Sequence, residues 1–224
     1  MTIKAVLFDL DDTLIDSSRS REERALRAHR RLRAEGVVVA WPAFWRSINS
    51  LDEGGFYSKG VEGAIRDLGL HATALGDECV GLWRFIGAED LLTHSTGCTD
   101  ALDVLKARYR LGVVTNGPAE AQRHKFRHTG LEDYFELFLP SGEVGVGKPD
   151  PQILRIALDR LGLQPHEAVF VGDHLDLDVI CAHGAGMRGI LYNPGNRRPP
   201  DPDIVPDGMV KGLDELPGLL ETWA

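Results

Sequence analysis

Three short apolar segments of this chain each end in a group of polar or charged residues. Segment 5–8 leads into Asp9-Leu10-Asp11-Asp12-Thr13, segment 111–114 into Thr115-Asn116-Gly117, and segment 168–171 into Gly172-Asp173-His174. Short apolar runs of this kind are typical of strands that are buried on both faces of a parallel sheet. Because parallel strands end at one edge of the sheet, where open α/β folds bind ligands, we expect the three polar groups to converge.

The rest of the chain follows the alternation of strands and helices that is typical of an α/β fold with a mainly parallel sheet. Predicted strands cover Ile3–Phe8, Leu111–Thr115, Leu137–Leu139, Ala168–Gly172 and Gly189–Tyr192, with a short edge strand near Met209-Val210. Predicted helices cover Ala119–Thr129, Pro151–Leu161 and Leu175–Ala185, and a last helix starts at about Leu213.

Residues 17–92 have a different pattern, because they contain no strand-like run. Glycines separate four predicted helices there, at about Ser18–Glu35, Ala43–Leu51, Val61–Leu68 and Ala72–Ile86. We therefore predict an α/β unit built from residues 1–16 and 93–224, with an all-helical insert at residues 17–92.

Composition and charge limit the possible partners. The chain has 224 residues, of which 43% are hydrophobic and 26% charged, as in soluble globular proteins. A formal net charge of −9 argues against binding to nucleic acid or to an anionic membrane. There is no membrane-length apolar run and no leader-like N-terminus, so we expect a cytoplasmic protein. Both a monomer and a homodimer are compatible with the sequence. Three scattered cysteines indicate neither a disulfide framework nor a thiolate zinc site.

Carboxylates gathered at one sheet edge are costly unless a positive charge lies among them. The candidates for that charge are a divalent metal ion and Lys148. Oxygen ligands without cysteine favour Mg²⁺ over zinc, and protein-bound Mg²⁺ commonly takes a substrate phosphate as a further ligand. The sheet edge is therefore interpreted as a phosphate site.

Four motifs in this order resemble those of the haloacid dehalogenase-like hydrolase superfamily. They are Asp9-Leu10-Asp11-Asp12-Thr13 after the first strand, Thr115 at a strand end, Gly147-Lys148-Pro149-Asp150, and Gly172-Asp173 with Asp178. The resemblance spans nearly the whole chain. It implies a Rossmann-like, doubly wound, mainly parallel sheet, with an all-helical cap domain inserted after the first motif.

The resemblance also implies how the first motif would work in a phosphatase. Asp9 would be the nucleophile that attacks phosphorus and forms an aspartyl-phosphate. Asp11 would be the acid that protonates the leaving alkoxide and then the base that activates water. Both residues would also bind Mg²⁺, Asp9 through its carboxylate and Asp11 through its main-chain carbonyl.

The other motifs would complete the metal and phosphate sites. Asp173 would supply a second carboxylate to Mg²⁺, and Asp178 would be a ligand through water or a support behind the ligands. Thr115 and Lys148 would bind the transferred phosphoryl oxygens, and Asn116 would add an amide donor. The roles of Asp176 and His174 stay open, as does that of Thr13, for which ordering of the loop is favoured over chemistry.

A helical cap in this position would close over the site and select the leaving group. The glycine-bounded loop Gly54–Gly60 carries the lysine of the insert, Lys59, and Trp45 and Arg46 precede it. We treat Trp45, Arg46 and Lys59 as candidate substrate contacts, against the alternative that Trp45 serves in packing.

The sequence thus predicts a Mg²⁺-dependent phosphatase of small phosphorylated metabolites. Dehalogenation is disfavoured within the family, because Asp11 supplies the acid that phosphatases use and dehalogenases lack. A phosphosugar mutase stays open, and phosphonate cleavage would need Lys59 as an imine-forming lysine. Outside the family, a phospho-receiver domain and a non-catalytic binding protein are the alternatives, and repeated turnover would exclude both.

Overall fold

The computed structural model describes residues 2–50, 59–85, 88–195 and 203–223, which form two compact units. One unit combines Met1–Asp16 with Thr93–Ala224 and is an α/β unit. The other is Ser17–Leu92 and contains helices. Residues 54–58 of the predicted loop Gly54–Gly60 and the prolines at 199, 200 and 202 lie outside the described residues.

The strands of the α/β unit are, in chain order, β1 (Ala5–Phe8), β2 (Ile15–Asp16), β3 (Thr93–His94), β4 (Arg110–Thr115), β5 (Leu137–Pro140), β6 (Ala168–Gly172), β7 (Arg188–Tyr192) and β8 (Gly208–Val210). Six of them form one parallel sheet with the order β5-β4-β1-β6-β7-β8. A separate antiparallel pair is formed by β2 and β3, at the two ends of the helical segment.

Both units also contain α-helices. In chain order they are α1 (Ser18–Ala34), α2 (Trp41–Asn49), α3 (Gly60–Asp67), α4 (Ala74–Phe85), α5 (Cys98–Lys106), α6 (Ala119–Thr129), α7 (Ser141–Val144), α8 (Gln152–Leu161), α9 (Ile180–Ala185) and α10 (Leu216–Glu221). Short 3₁₀ turns lie at Glu89–Leu91, Glu132–Tyr134, Pro165–Glu167 and Leu213–Glu215. None of the described helices combines the length and the apolar character that crossing a lipid bilayer requires.

Both faces of the sheet are covered, which explains why its central strands are continuous apolar runs. Ala5 and Leu7 of β1 pack on one face in a buried cluster with Leu154 and Leu158 of α8. On the other face, the ring of Phe8 lies edge-on to Phe135, with centroids 6.1 Å apart. The same aromatic group includes Phe126 of α6, stacked on Phe138 of β5 with centroids 4.5 Å apart. The predicted doubly wound α/β fold is confirmed.

Several elements differ from the prediction, among them the short helix α7, which was not predicted. The predicted helix Leu175–Ala185 starts with a π-helical turn, Leu175–Val179, and becomes α-helical only at Ile180. Helix α5 was not predicted, although its buried residues Cys98, Ala101, Leu102 and Leu105 have helical spacing. The strands of the β2–β3 pair have two residues each, which is too short for a sequence pattern to indicate.

The helical unit has its own apolar core. Leu32 of α1, Phe44 and Ile48 of α2, Ile65 of α3 and Cys79 of α4 are buried together. Each of the four predicted helices is present, with ends that differ by a few residues from the prediction.

Candidate active site

The carboxyl ends of β1, β4 and β6 lie side by side at the centre of the sheet. Phe8, the last residue of β1, is in register with Val113 of β4 and Val171 of β6. The amide of Asp9 donates a hydrogen bond to the carbonyl of Val171, at 2.8 Å. Asp9, which directly follows β1, therefore lies between the ends of β4 and β6. This is the point where the strand order reverses and where α/β folds bind ligands.

A tight loop turns the chain back after Asp9. Asp12 has a φ of 59°, a left-handed conformation that aspartate tolerates better than most residues. The amides of Leu14 and Ile15 both donate to the carbonyl of Leu10, at 3.0 and 3.1 Å. The Thr13 hydroxyl donates to Oδ1 of Asp173 at 3.4 Å, which ties the loop to the end of β6. This contact supports the interpretation of Thr13 as a residue that orders the loop.

Lys148 reaches the sheet edge because Asn116 holds its backbone at two points. The Lys148 amide donates to Oδ1 of Asn116, and Nδ2 of Asn116 donates to the Lys148 carbonyl, both at 2.9 Å. Lys148 is 2% exposed, and its Nζ lies 2.7 Å from Oδ1 of Asp9 and 2.7 Å from Oδ1 of Asp178. Asn116 thus acts on the position of Lys148; its predicted contact with substrate stays a prediction.

Three predicted metal ligands meet at this edge. Asp9, Asp173 and Asp178 each offer a carboxylate oxygen, and these oxygens lie within 4.8 Å of one another. The second oxygen of Asp178 accepts a hydrogen bond from the His174 amide at 2.9 Å, so Asp178 also caps the turn that follows β6. Nδ1 of His174 is buried and has no hydrogen-bond partner among the described residues.

Burial and mutual repulsion perturb the acids of this cluster. Burial is the main cause that raises the pKa of Asp9 to about 7, with Asp178 and Asp11 adding to it and Lys148 opposing it. Burial, together with the charges of Asp178 and Asp9, likewise raises the pKa of Asp173 well above its usual range. Burial disfavours the charged form of Lys148, but Asp178 and Asp9 outweigh it and raise the pKa of that ammonium.

The cluster has the composition of a site for a hard divalent cation. Three carboxylates face one buried ammonium, so the ionised cluster carries excess negative charge, and this charge adds to the effect of burial in raising the pKa values of Asp9 and Asp173. All the donors are oxygens, as Mg²⁺ prefers. The residues present therefore fit the predicted magnesium ion.

The carboxylate of Asp11 is not part of this cluster. It contacts two residues of α6 that were not identified from the sequence. Nζ of Lys125 is 2.7 and 2.6 Å from the two carboxylate oxygens of Asp11. Nε2 of Gln122 lies 3.0 Å from Oδ2 of Asp11, 2.7 Å from the Thr115 hydroxyl and 2.9 Å from the Asn116 carbonyl. One feature of the sequence could have indicated them. Gln122 and Lys125 are three residues apart, so they share one face of the helix that directly follows the second motif.

Comparison with known proteins agrees with this geometry. A model of the haloacid dehalogenase-like hydrolase family matches residues 3–186. The chain belongs to this family. The matched residues include all four motifs and the strands β1, β4 and β6 that carry the site.

Two curated relatives are phosphatases by name. A glyceraldehyde 3-phosphate phosphatase of Methanopyrus kandleri is 31% identical over 96% of this chain and 95% of its own length. A phosphoserine phosphatase of Thermus thermophilus is 45% identical over 106 residues, but the match covers 47% of this chain and 42% of that protein. The crystal structure of a 2-haloacid dehalogenase from Pseudomonas syringae pv. Tomato DC3000 matches all of both chains, with 30% identity and a TM-score of 0.72.

The three candidate substrate residues lie in the helical unit. Trp45 stacks on Trp41, with ring centroids 5.4 Å apart, and packs against the helical core. Nζ of Lys59 lies 3.5 Å from Oδ2 of Asp67, and Arg46 is exposed. These contacts give Trp45 and Lys59 roles within their own unit, and substrate binding by the three residues stays a prediction.

Proposed function

We propose that this protein is a Mg²⁺-dependent phosphomonoester hydrolase that acts on small phosphorylated metabolites through an aspartyl-phosphate. The observation that carries the proposal is the cluster of Asp9, Asp173 and Asp178, in which Lys148 bridges two of the three carboxylates. A dianionic phosphate needs this combination of oxygen ligands for a cation and a fixed ammonium. The two curated relatives described above, both phosphatases by name, support it.

The first half of the reaction transfers the phosphoryl group to the protein. A carboxylate oxygen of Asp9 attacks phosphorus in line with the leaving oxygen, and the bond between phosphorus and that oxygen breaks. Asp11 donates a proton to the leaving oxygen, so that an alcohol departs rather than an alkoxide. Lys148 and Thr115 bind the oxygens of the transferred group and neutralise its charge.

The second half of the reaction releases phosphate. The carboxylate of Asp11 takes a proton from water, and the resulting hydroxide attacks the same phosphorus. The bond between phosphorus and the Asp9 oxygen breaks, which yields inorganic phosphate and restores both aspartates. One residue thus serves as acid and then as base.

Asp9, Asp173 and Asp178, with the main-chain carbonyl of Asp11, would hold the magnesium ion. When bound there, the ion would supply positive charge that keeps Asp9 ionised and neutralises part of the charge of the phosphate. Lys148 and Asp178 are almost fully buried, so this part of the cluster is shielded from water.

Dehalogenation is the second candidate, because a solved structure with 30% identity carries the name of a 2-haloacid dehalogenase. That reaction uses a nucleophilic carboxylate but no acid two residues further on. In this protein Asp11 is held by Lys125 and Gln122 beside the second motif, which favours the phosphatase. Halide release from 2-haloacids, with phosphate release absent, would decide for the second candidate.

Phosphate release from a panel of phosphorylated metabolites tests the proposal. The panel includes sugar phosphates, phosphoglycolate, nucleoside monophosphates and amino-sugar phosphates, each with Mg²⁺ and with chelator. Wild type is expected to turn over repeatedly only with Mg²⁺, and Asp9→Asn is expected to be inactive. Activity that survives Asp9→Asn would contradict the nucleophile, and a single phosphorylation per chain would indicate a receiver domain.

The helical unit is proposed to select the leaving group, since the roles proposed for residues of the α/β unit concern the phosphoryl group and the leaving oxygen and not the rest of the leaving group. Arg46→Ala and Lys59→Ala test this on the preferred substrate. A fall in kcat/KM that is confined to that substrate supports selection by these residues. Unchanged values for both variants would exclude them as substrate contacts.

A further inference from the structure

The carboxylate of Asp11 is held by a contact that the four motifs do not include. Lys125 reaches both of its oxygens, at 2.7 and 2.6 Å, from helix α6. The side chain of Lys125 is 16% exposed and that of Asp11 28% exposed, so the ion pair lies partly out of water. A partly buried ammonium that contacts both oxygens restricts a carboxylate more than an exposed pair does.

Gln122 adds a second restraint to the same carboxylate. It lies one helical turn before Lys125 and is 4% exposed. Its amide nitrogen is within 3.0 Å of three acceptors, which belong to Asp11, Thr115 and Asn116. Gln122 therefore fixes Asp11 relative to the residues that end β4.

Asp11 needs such restraints because regular structure does not position its side chain. It follows the end of β1 by three residues, and the next residue, Asp12, is in the left-handed region. Proton transfer requires the donor to lie within hydrogen-bond reach of the leaving oxygen, and an error of about 1 Å costs up to about 10²-fold in rate.

We infer that Lys125, together with Gln122, is a positioning residue that holds the carboxyl group of Asp11 in place for proton transfer to the leaving oxygen. The inference rests on the proposed phosphatase reaction, in which Asp11 is the acid. It predicts that removal of Lys125 affects only those steps that need the acid. Binding of the phosphoryl group, which the proposal gives to Lys148 and Thr115, should be unaffected.

The dependence of kcat/KM on the leaving group tests the inference, because kcat/KM reports the steps up to the first irreversible one. An alkyl phosphate needs protonation of its leaving oxygen, whereas p-nitrophenyl phosphate departs as a stable anion. For Lys125→Met we expect kcat/KM to fall about 10- to 100-fold with the alkyl phosphate and about 3-fold or less with p-nitrophenyl phosphate. Lys125→Arg should restore most of the loss, because a guanidinium can also contact both carboxylate oxygens.

A double variant adds a readout that a purely structural role would not produce. If Lys125 acts through Asp11, then Lys125→Met should cause no further loss in an Asp11→Asn background. Lys106→Met is the matched control, because Lys106 lies on α5 and contacts the Asp133 carbonyl and the Tyr134 ring. This variant should keep wild-type kcat/KM with both substrates.

Three outcomes would overturn the inference. Equal loss with both substrates would mean that Lys125 acts on the phosphoryl group or on the fold. A rise in KM at unchanged kcat would mean that it binds substrate, and unchanged kinetics would mean that it positions nothing. Failure of the proposed function is distinguishable, since wild type would then release no phosphate or Asp9→Asn would stay active.

Discussion

The buried carboxylate of Asp9 should make the stability of the metal-free protein depend on pH. Its pKa rises from 3.8 to about 7 in the folded chain, chiefly through burial. Between these two values the folded protein keeps a proton on Asp9, whereas the unfolded chain has lost it. The free energy of unfolding therefore falls as the pH rises across this interval.

The size of the effect follows from the pKa difference. A rise from 3.8 to about 7 corresponds to roughly 4 kcal/mol of unfolding free energy. This contribution is fully present below the unfolded value and is lost once the pH passes the folded one. Asp173 acts in the same direction, because its pKa is also raised and Asp9 is one of the causes.

Urea denaturation in chelator, followed by circular dichroism at several pH values from about 4 to about 8, measures the effect. Hydrogen exchange at the amides of β1 and β6 assigns it to the α/β unit. Asp9→Asn should remove the part of the pH dependence that Asp9 contributes, so that the variant becomes the more stable protein by roughly 4 kcal/mol near neutral pH, and the part that Asp173 contributes should remain. Asp176→Asn is the matched control, because Asp176 lies at the same sheet edge but outside the carboxylate cluster.

Parallel stability curves for wild type and Asp9→Asn across this range would refute the reasoning. Mg²⁺ provides an independent check, because its binding requires the ionised carboxylate and releases the proton. Added Mg²⁺ should therefore stabilise wild type more at about pH 7.5 than at about pH 5, and should stabilise Asp9→Asn less at either pH.

Two further substitutions test the packing and the charge balance of the cluster. A Cβ at position 172 would clash with the Asp178 carboxylate, so Gly172→Ala should displace that carboxylate and destabilise the protein by about 3–5 kcal/mol in thermal unfolding. Gly81→Ala is its control, because a Cβ there meets nothing within 4 Å and should stabilise α4 by about 0.5–1 kcal/mol. Lys148→Met leaves Asp9 and Asp178 without their ammonium and should cost about 3–5 kcal/mol near neutral pH. That cost should shrink at about pH 5, where Asp9, whose pKa is raised to about 7, takes up a proton; a constant cost would contradict the charge argument.

The sequence could predict the sheet because its central strands are buried on both faces. Such strands have to be apolar throughout, and β1 and β6 are buried along their whole length. The π-helical turn at Leu175–Val179 could not be predicted from the sequence, and the reason is physical. The turn has the apolar residue pattern of a helix, and only its backbone hydrogen bonds differ from those of an α-helix. This difference cannot be recognised from the residue pattern.

From the topology of the sheet alone, convergence could be predicted only for residues at the end of a strand or directly after it. Asp9, Thr115 and Asp173 could be brought together by the topology alone, because parallel strands end at one edge. Gln122 and Lys125 could not, because whether a helix residue faces the site depends on how α6 packs against the sheet. Their helical spacing showed that they share a face, but only the structure shows that this face meets Asp11.

The contacts of Lys148 and Lys125 divide the acids of the site into two groups. Lys148 lies among carboxylates that outnumber it, and the remaining negative charge calls for a cation. Asp11 has its own ammonium in Lys125, and its carboxylate is not among the three whose oxygens lie together. This division agrees with the expectation that Asp11 offers a metal ion its main-chain carbonyl, and it leaves the Asp11 carboxyl group available for proton transfer. In a single cluster of equivalent acids around one cation, no carboxyl group would be left for proton transfer, so the proposed chemistry depends on the separation that α6 creates.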